Sequence, residues 1–133
     1  LQVNYESMVD WRQHTDYLRC NPQFFNALRF DCAFIQTKKE VIVGRLLLLF
    51  ECPVGNNIFP PALIHPYDAP TGARLQKDKH LNLFRVRAKP RAQAEFFLIR
   101  SIIRGALLVH DENLDYFIVD TVNMDMFLRV KEM

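Results

Sequence analysis

Four cations fall within the nine residues LFRVRAKPR, at Arg85, Arg87, Lys89 and Arg91. Arginine and lysine at that spacing can follow a phosphate backbone or meet an acidic protein surface. The same pattern also describes a solvated edge strand whose charges deter pairing with another edge. Residues 71–104 carry nine cations against Asp78 and Glu95, a local balance of +7, while the rest of the chain carries −5 and the total is +2. Asymmetry of this kind predicts a positive face able to meet phosphates or acidic protein. Its members are Arg74, Lys77, Lys79, Arg85, Arg87, Lys89 and Arg91, with Arg100 and Arg104 closing the run.

Other residue pairs invite a chemical reading and support it less. His65 and Asp68, in ALIHPYDAP, could act as acid and base, but such work needs a substrate pocket and a third orienting group. A histidine before Pro66 and Tyr67 reads more simply as a rigid turn. His14 with Asp16, and His110 with Asp111, add imidazole and carboxylate groups at spacings that match no metal motif. The acidic series Asp111, Glu112, Asp115, Asp120 and Asp125 lacks the alternating aspartates and glycine of a calcium loop, and reads as a turn-rich acidic surface. Cys20, Cys32 and Cys52 form no C-x-x-C pair and read as small buried hydrophobes in a reduced compartment. No catalytic residue, metal site or cofactor is expected.

These residues must be positioned by short elements. The chain of 133 residues is half hydrophobic, contains eleven phenylalanines, and fits one domain with one aromatic-rich core. It opens at Leu1 rather than methionine and is expected to be a fragment of a longer protein, nuclear or intracellular rather than secreted. No apolar run approaches the ~20 residues that a membrane helix requires. Proline and glycine, at Pro22, Pro53, Gly55, Pro60, Pro61, Pro66, Pro70, Gly72 and Pro90, cut the sequence into strand-sized pieces. Residues 31–36 and 41–52 predict a hairpin across the polar turn 36–40, and residues 62–65, 81–87, 116–119 and 126–130 predict further strands. In 81–87, Phe84 and Val86 are expected to face the core and Arg85 and Arg87 the solvent. The stretch 95–109 also fits a helical face, but its β-branched content favours two strands bent at Gly105. A turn of helix is expected only within 8–18, where the ring of Trp11 should clasp the barrel or line a partner pocket.

The phrases RLLLLFECPVG, ALIHPYDAP, RSIIRGALLVHD and DYFIVDTVNMDMFLR occur in that order. Together they resemble a region of proteins encoded by transposable elements of mushroom-forming fungi, similar in layout to the bromo-adjacent homology (BAH) fold. The resemblance spans residues 41–129 and implies a distorted antiparallel β-barrel, mainly β, with little helix near the N-terminus. It further implies a non-enzymatic interaction module for protein or chromatin, with a histone or another chromatin component as partner; direct DNA binding through 74–104 is the alternative. Some domains of that kind bind methylated lysine in an aromatic cage, and Trp11, Tyr17, Tyr67, Phe84 and Tyr116 are the candidate walls here.

Overall fold

The computed structural model describes residues 1–24, 27–69, 75–111 and 115–133. Fifteen strands precede one helix among them. They are β1 (Gln2–Glu6), β2 (Gln13–Tyr17), β3 (Cys20–Phe24), β4 (Ala27–Phe30), β5 (Cys32–Gln36), β6 (Val41–Leu49), β7 (Cys52–Val54), β8 (Asn57–Phe59), β9 (Pro61–Asp68), β10 (Gln76–Lys77), β11 (Phe84–Ala88), β12 (Glu95–Leu98), β13 (Ile102–Ala106), β14 (Leu108–His110) and β15 (Asp115–Ile118), followed by α1 (Met124–Glu132).

Seven strands form the main antiparallel sheet in the order β13-β5-β6-β9-β11-β15-β14, with β10 added along β11 and β12 along the first half of β9. The two edge strands are consecutive in sequence. Only Leu107 separates β13 from β14, and its carbonyl accepts the Val119 N–H at 2.9 Å. One bent segment thus supplies both edges and nearly closes a barrel, leaving little open edge for strand addition.

Both faces of the sheet are buried, and each has its own core. Inside the barrel, Phe34, Val43, Tyr67, Val86 and Ile118 pack with Met126 and Val130 of α1. Outside, Ala33, Ile35, Leu46, Ala62, Ile64 and Ile102 are covered by Val3 and Leu18 of the β1–β2 arm. Strands covered on both faces lose the strict alternation of a half-exposed strand, which explains the continuous buried run Cys32–Ile35 of β5. Close packing has a cost at Gly44, where an added Cβ would collide with the Ile64 side chain and press on Ile35.

The expected hairpin over 31–52 is present as β5 and β6, paired from Cys32↔Arg45 to Gln36↔Val41. Four expectations are corrected. Residues 8–18 hold no helix: Asp10 and Ser7 side chains accept the N–H groups of Arg12 and Val9, a turn reverses the chain, and β2 pairs with β1. Residues 126–130 are helical rather than extended, because Asn123 caps the Met126 N–H at 2.9 Å. Asp125 then sits in the first turn, Arg129 and Lys131 sit in the last, and both ends suit the helix dipole. Within 95–109 the helical reading fails as expected, but the chain forms β12, a short 3-10 turn, β13 and β14. The bulge lies between Ile102 and Arg104 and the bend at Leu107, not at Gly105. Strand β11 starts at Phe84 instead of Leu81, since the Asp78 carboxylate accepts from the N–H groups of His80 and Leu81 and Asn82 turns at φ 54°.

Candidate functional site

The pleat of β11 places Val86 in the interior and turns Arg85 and Arg87 outward, as the alternation predicts. Both arginines nevertheless meet carboxylates of this same chain. Arg85 reaches Asp111 at 2.5 Å, Asp115 at 3.3 Å and Asp78 at 3.4 Å, and its guanidinium lies 4.5 Å from the centre of the Phe117 ring. Arg87 bonds Asp115 through Nε at 2.7 Å, and Lys89 stands 3.7 Å from Asp68. The hydrogen bond from Arg87, with Arg85 nearby, holds the Asp115 carboxyl below the usual carboxylate range. Asp111 and Asp115 of the acidic series and Arg85 and Arg87 of the basic strip are therefore two sides of one ion-pair network. Of the remaining strip members, Lys77 lies over the Phe84 ring at 5.1 Å, Lys79 and Arg91 are exposed, and Arg74 falls outside the described residues, as does Glu112.

Arg104 is not on the surface at all. It is 4% exposed, bonds Asp125 at 2.5 Å, lies 3.2 Å from Asp16 in an ion pair not aligned as a hydrogen bond, and packs 4.3 Å from the centre of the Tyr5 ring. Asp125 also accepts from Arg129 Nε at 2.8 Å and from the Met8 N–H at 2.7 Å, and Arg129 donates to the Glu6 carbonyl. Burial works against the charged form of Asp125, yet the donors from Arg129, Met8 and Arg104 leave its carboxyl below the ordinary range. This cluster ties the β1–β2 arm, β13 and α1 together.

A different arginine occupies the barrel interior. Arg45 on β6 lies opposite Cys32 on β5 and His65 on β9. Its guanidinium is 5.3 Å from the centre of the Tyr116 ring and 6.0 Å from that of Tyr67, and the two rings meet edge to face at 5.1 Å. His65 packs at 5.9 Å from Tyr67 and His110 at 4.9 Å from Tyr116. His65 donates from Nε2 to the Lys89 carbonyl, and Asp68 engages the Lys89 ammonium, so the two residues do not form an acid–base pair. Burial pushes the Tyr67 phenol above the usual tyrosine range and the Cys32 thiol upward as well, the latter against the pull of Arg45.

Of the five candidate cage walls, Tyr67 and Tyr116 come together, but they pack on each other edge to face and the cation beside them is the chain's own Arg45. Beyond Tyr67, the interior widens into a cavity of about 780 Å³ lined by Phe34, Val43, Phe84, Val86, Ile103 and Met133. Phe84 thus joins Tyr67 across that cavity. Trp11 and Tyr17 are elsewhere. Trp11 is 70% exposed at the tip of the β1–β2 arm with φ 59°, and Tyr17, at the end of β2, is 65% exposed. The expected clasp is absent because the Ser7–Arg12 turn swings the indole away from the barrel. Cys52 is likewise exposed, whereas Cys32 is buried and Cys20 half-buried.

Sequence reading missed an apolar apron. Leu48, Leu63 and Phe96 are in register across β6, β9 and β12, so their side chains share one face. Leu63 is two residues from His65, which makes this the face that carries Arg45, continued past the barrel mouth. Leu48 is 50% and Phe96 66% exposed, and Phe50 meets Phe96 edge to face at 5.8 Å. A signal was present in the phenylalanine-rich 95–98 segment, but nothing in the sequence said which of its rings would lie outside. No helix among the described residues is long and apolar enough to cross a membrane. No protein-family model matches this chain, nor does any curated protein or any solved structure.

Proposed function

We propose that the chain is a BAH-like, non-enzymatic β-barrel that serves a transposon-type protein as an interaction module and docks a chromatin protein on the β6–β9–β12 apron. The observation that carries this reading is the row Leu48, Leu63 and Phe96. Apolar side chains held in register on a covered, stiff sheet and left facing solvent are the usual core of a docking surface. Support also comes from the basic strip, whose central arginines are neutralised by Asp78, Asp111 and Asp115 and so offer phosphates little uncompensated charge. The DNA-binding alternative rests on Lys77, Lys79 and Arg91, which have no carboxylate within 4 Å among the described residues.

Binding to reconstituted nucleosomes and to the same DNA free of histones, at two salt concentrations, separates the readings. A protein-docking module binds nucleosomes with a shallow salt slope and weakens in Phe96→Ser. Equal binding to free DNA, falling steeply with salt and unchanged in Phe96→Ser, establishes the nucleic-acid alternative instead.

A further inference from the structure

The geometry points to Arg45 as the receptor for a carboxylate carried by the docked partner, an aspartate or glutamate flanked by apolar residues. This deepens the docking reading above and rests on it. Arg85, Arg104 and Arg129, which are partly or fully buried, all meet carboxylates of this chain. Arg45 does not. It is half-buried, no described carboxylate lies within 4 Å of it, and its Nε is enclosed without a hydrogen-bond partner. Its neighbours are the Cys32 thiol and the faces of Tyr67 and Tyr116, which hold the guanidinium plane but supply no negative charge.

A cation removed from water without a counter-ion is costly, and an arriving anion removes that cost. The guanidinium fork fits a planar carboxylate through two parallel hydrogen bonds. A single guanidinium balances the one charge of a carboxylate and leaves a doubly charged phosphate half compensated. Beside Arg45, Tyr116 is half-buried and His110, packed on that ring, is exposed. Leu63, two residues from His65 on the same face, then receives the apolar neighbours of the acidic residue.

The Nε–H resonance of Arg45 in isotope-labelled protein gives the test, titrated with sodium acetate, with inorganic phosphate, with acetyl-Leu-Glu-Leu-amide, and with the glutamine analogue of that peptide. We expect saturable shifts with acetate and with the Glu peptide, about tenfold weaker binding of the Gln peptide, as loss of one charge-assisted pair predicts, and no saturable shift of the backbone amides of Cys32 and His65 in Arg45→Gln, amides that do shift in the parent. Equal affinity for the Glu and Gln peptides, tighter binding of phosphate than of acetate, or no saturable shift in the parent overturns the proposal. If Arg45→Gln does not fold, phenylglyoxal labelling of the parent replaces it: acetate must protect Arg45 while exposed Arg91 and Arg100 react as before, and absence of protection is equally fatal. Phe96→Ser distinguishes the two readings. It should weaken the Glu peptide yet leave the acetate shift intact, and an unchanged peptide affinity with a normal acetate response rejects the apron while keeping the anion site.

Discussion

Arg104 and Arg45 flank β5 from its two sides, yet their surroundings are opposite. Arg104 is shut away from water and touches two carboxylates, Asp16 and Asp125, with Tyr5 as a lid. Arg45 is half-open to solvent and has two tyrosine rings and a thiol but no described carboxylate beside it. One arginine is finished within the chain; the other is left with hydrogen-bonding capacity to spare. In a molecule whose central strip arginines, Arg85 and Arg87, are internally neutralised, the informative half-buried cation is the one with no described carboxylate beside it.

The contrast is sharpest for Asp125→Asn, which strips the buried Arg104 of its strongest partner. A loss of about 3–5 kcal/mol in urea denaturation is expected, since breaking a buried pair leaves an uncompensated charge. A loss under 1 kcal/mol would mean that Arg104 is not held by this pair. Gly44→Ala tests the packing behind Arg45 instead, and overpacking against Ile64 should cost on the order of 1–3 kcal/mol. A neutral outcome would show that the outer core can shift.

Acid titration gives an intermediate effect. Because the Asp125 carboxyl is depressed in the folded state, the unfolded chain binds more protons than the folded one once pH falls below the ordinary carboxylate range near ~4. Its contribution is full above that range and is lost as pH drops through the folded value. The slope of stability against pH in that acidic window should therefore be smaller in Asp125→Asn than in the parent. Arg45→Met, by contrast, keeps the stem packed on Tyr67 and Tyr116 while removing an unpaired charge, so its midpoint should equal or exceed that of the parent. A pronounced destabilisation there would erase the distinction between the two arginines. The smallest effect belongs to Arg85→Gln combined with Arg87→Gln and Arg91→Gln, whose folding should be almost unaltered because these groups remain accessible to water.

The barrel was legible where local chemistry and tertiary structure agree. The 36–40 turn and its flanking β-branched runs gave the β5–β6 hairpin, and alternation in FRVRA gave the facing of Arg85 and Val86 correctly. It was illegible where a capping residue outweighed composition: MFLRV is apolar enough for a strand, but Asn123 and Asp125 in NMD start a helix. Charge patterning misled for a physical reason. Sequence proximity grouped Arg104 with Arg85 and Arg87, whereas the fold turns one of them inward and sets the acidic series directly against the other two. Arg45, next to a run of leucines, carried no signal of its environment, since Tyr67 and Tyr116 reach it only through strand pairing.

The bridge between the two ends of the chain also governs when this protein can finish folding. Met8 bonds Asp125 across 117 positions of sequence, and Arg129 reaches the Glu6 carbonyl across 123. Closing loops of that size is slow compared with forming a hairpin. During synthesis the β1–β2 arm is made before every other element of the barrel and must wait, with Arg104 paired to Asp16 but lacking Asp125, until the residues of α1 emerge from the ribosome. Val3 and Leu18 can settle on the outer core before then, but the charge cluster cannot. The residues of α1 thus follow every strand of the barrel in translation yet lock its first hairpin, and truncation within α1 should leave the arm held by its apolar contacts and Asp16 but without the Asp125 bridge.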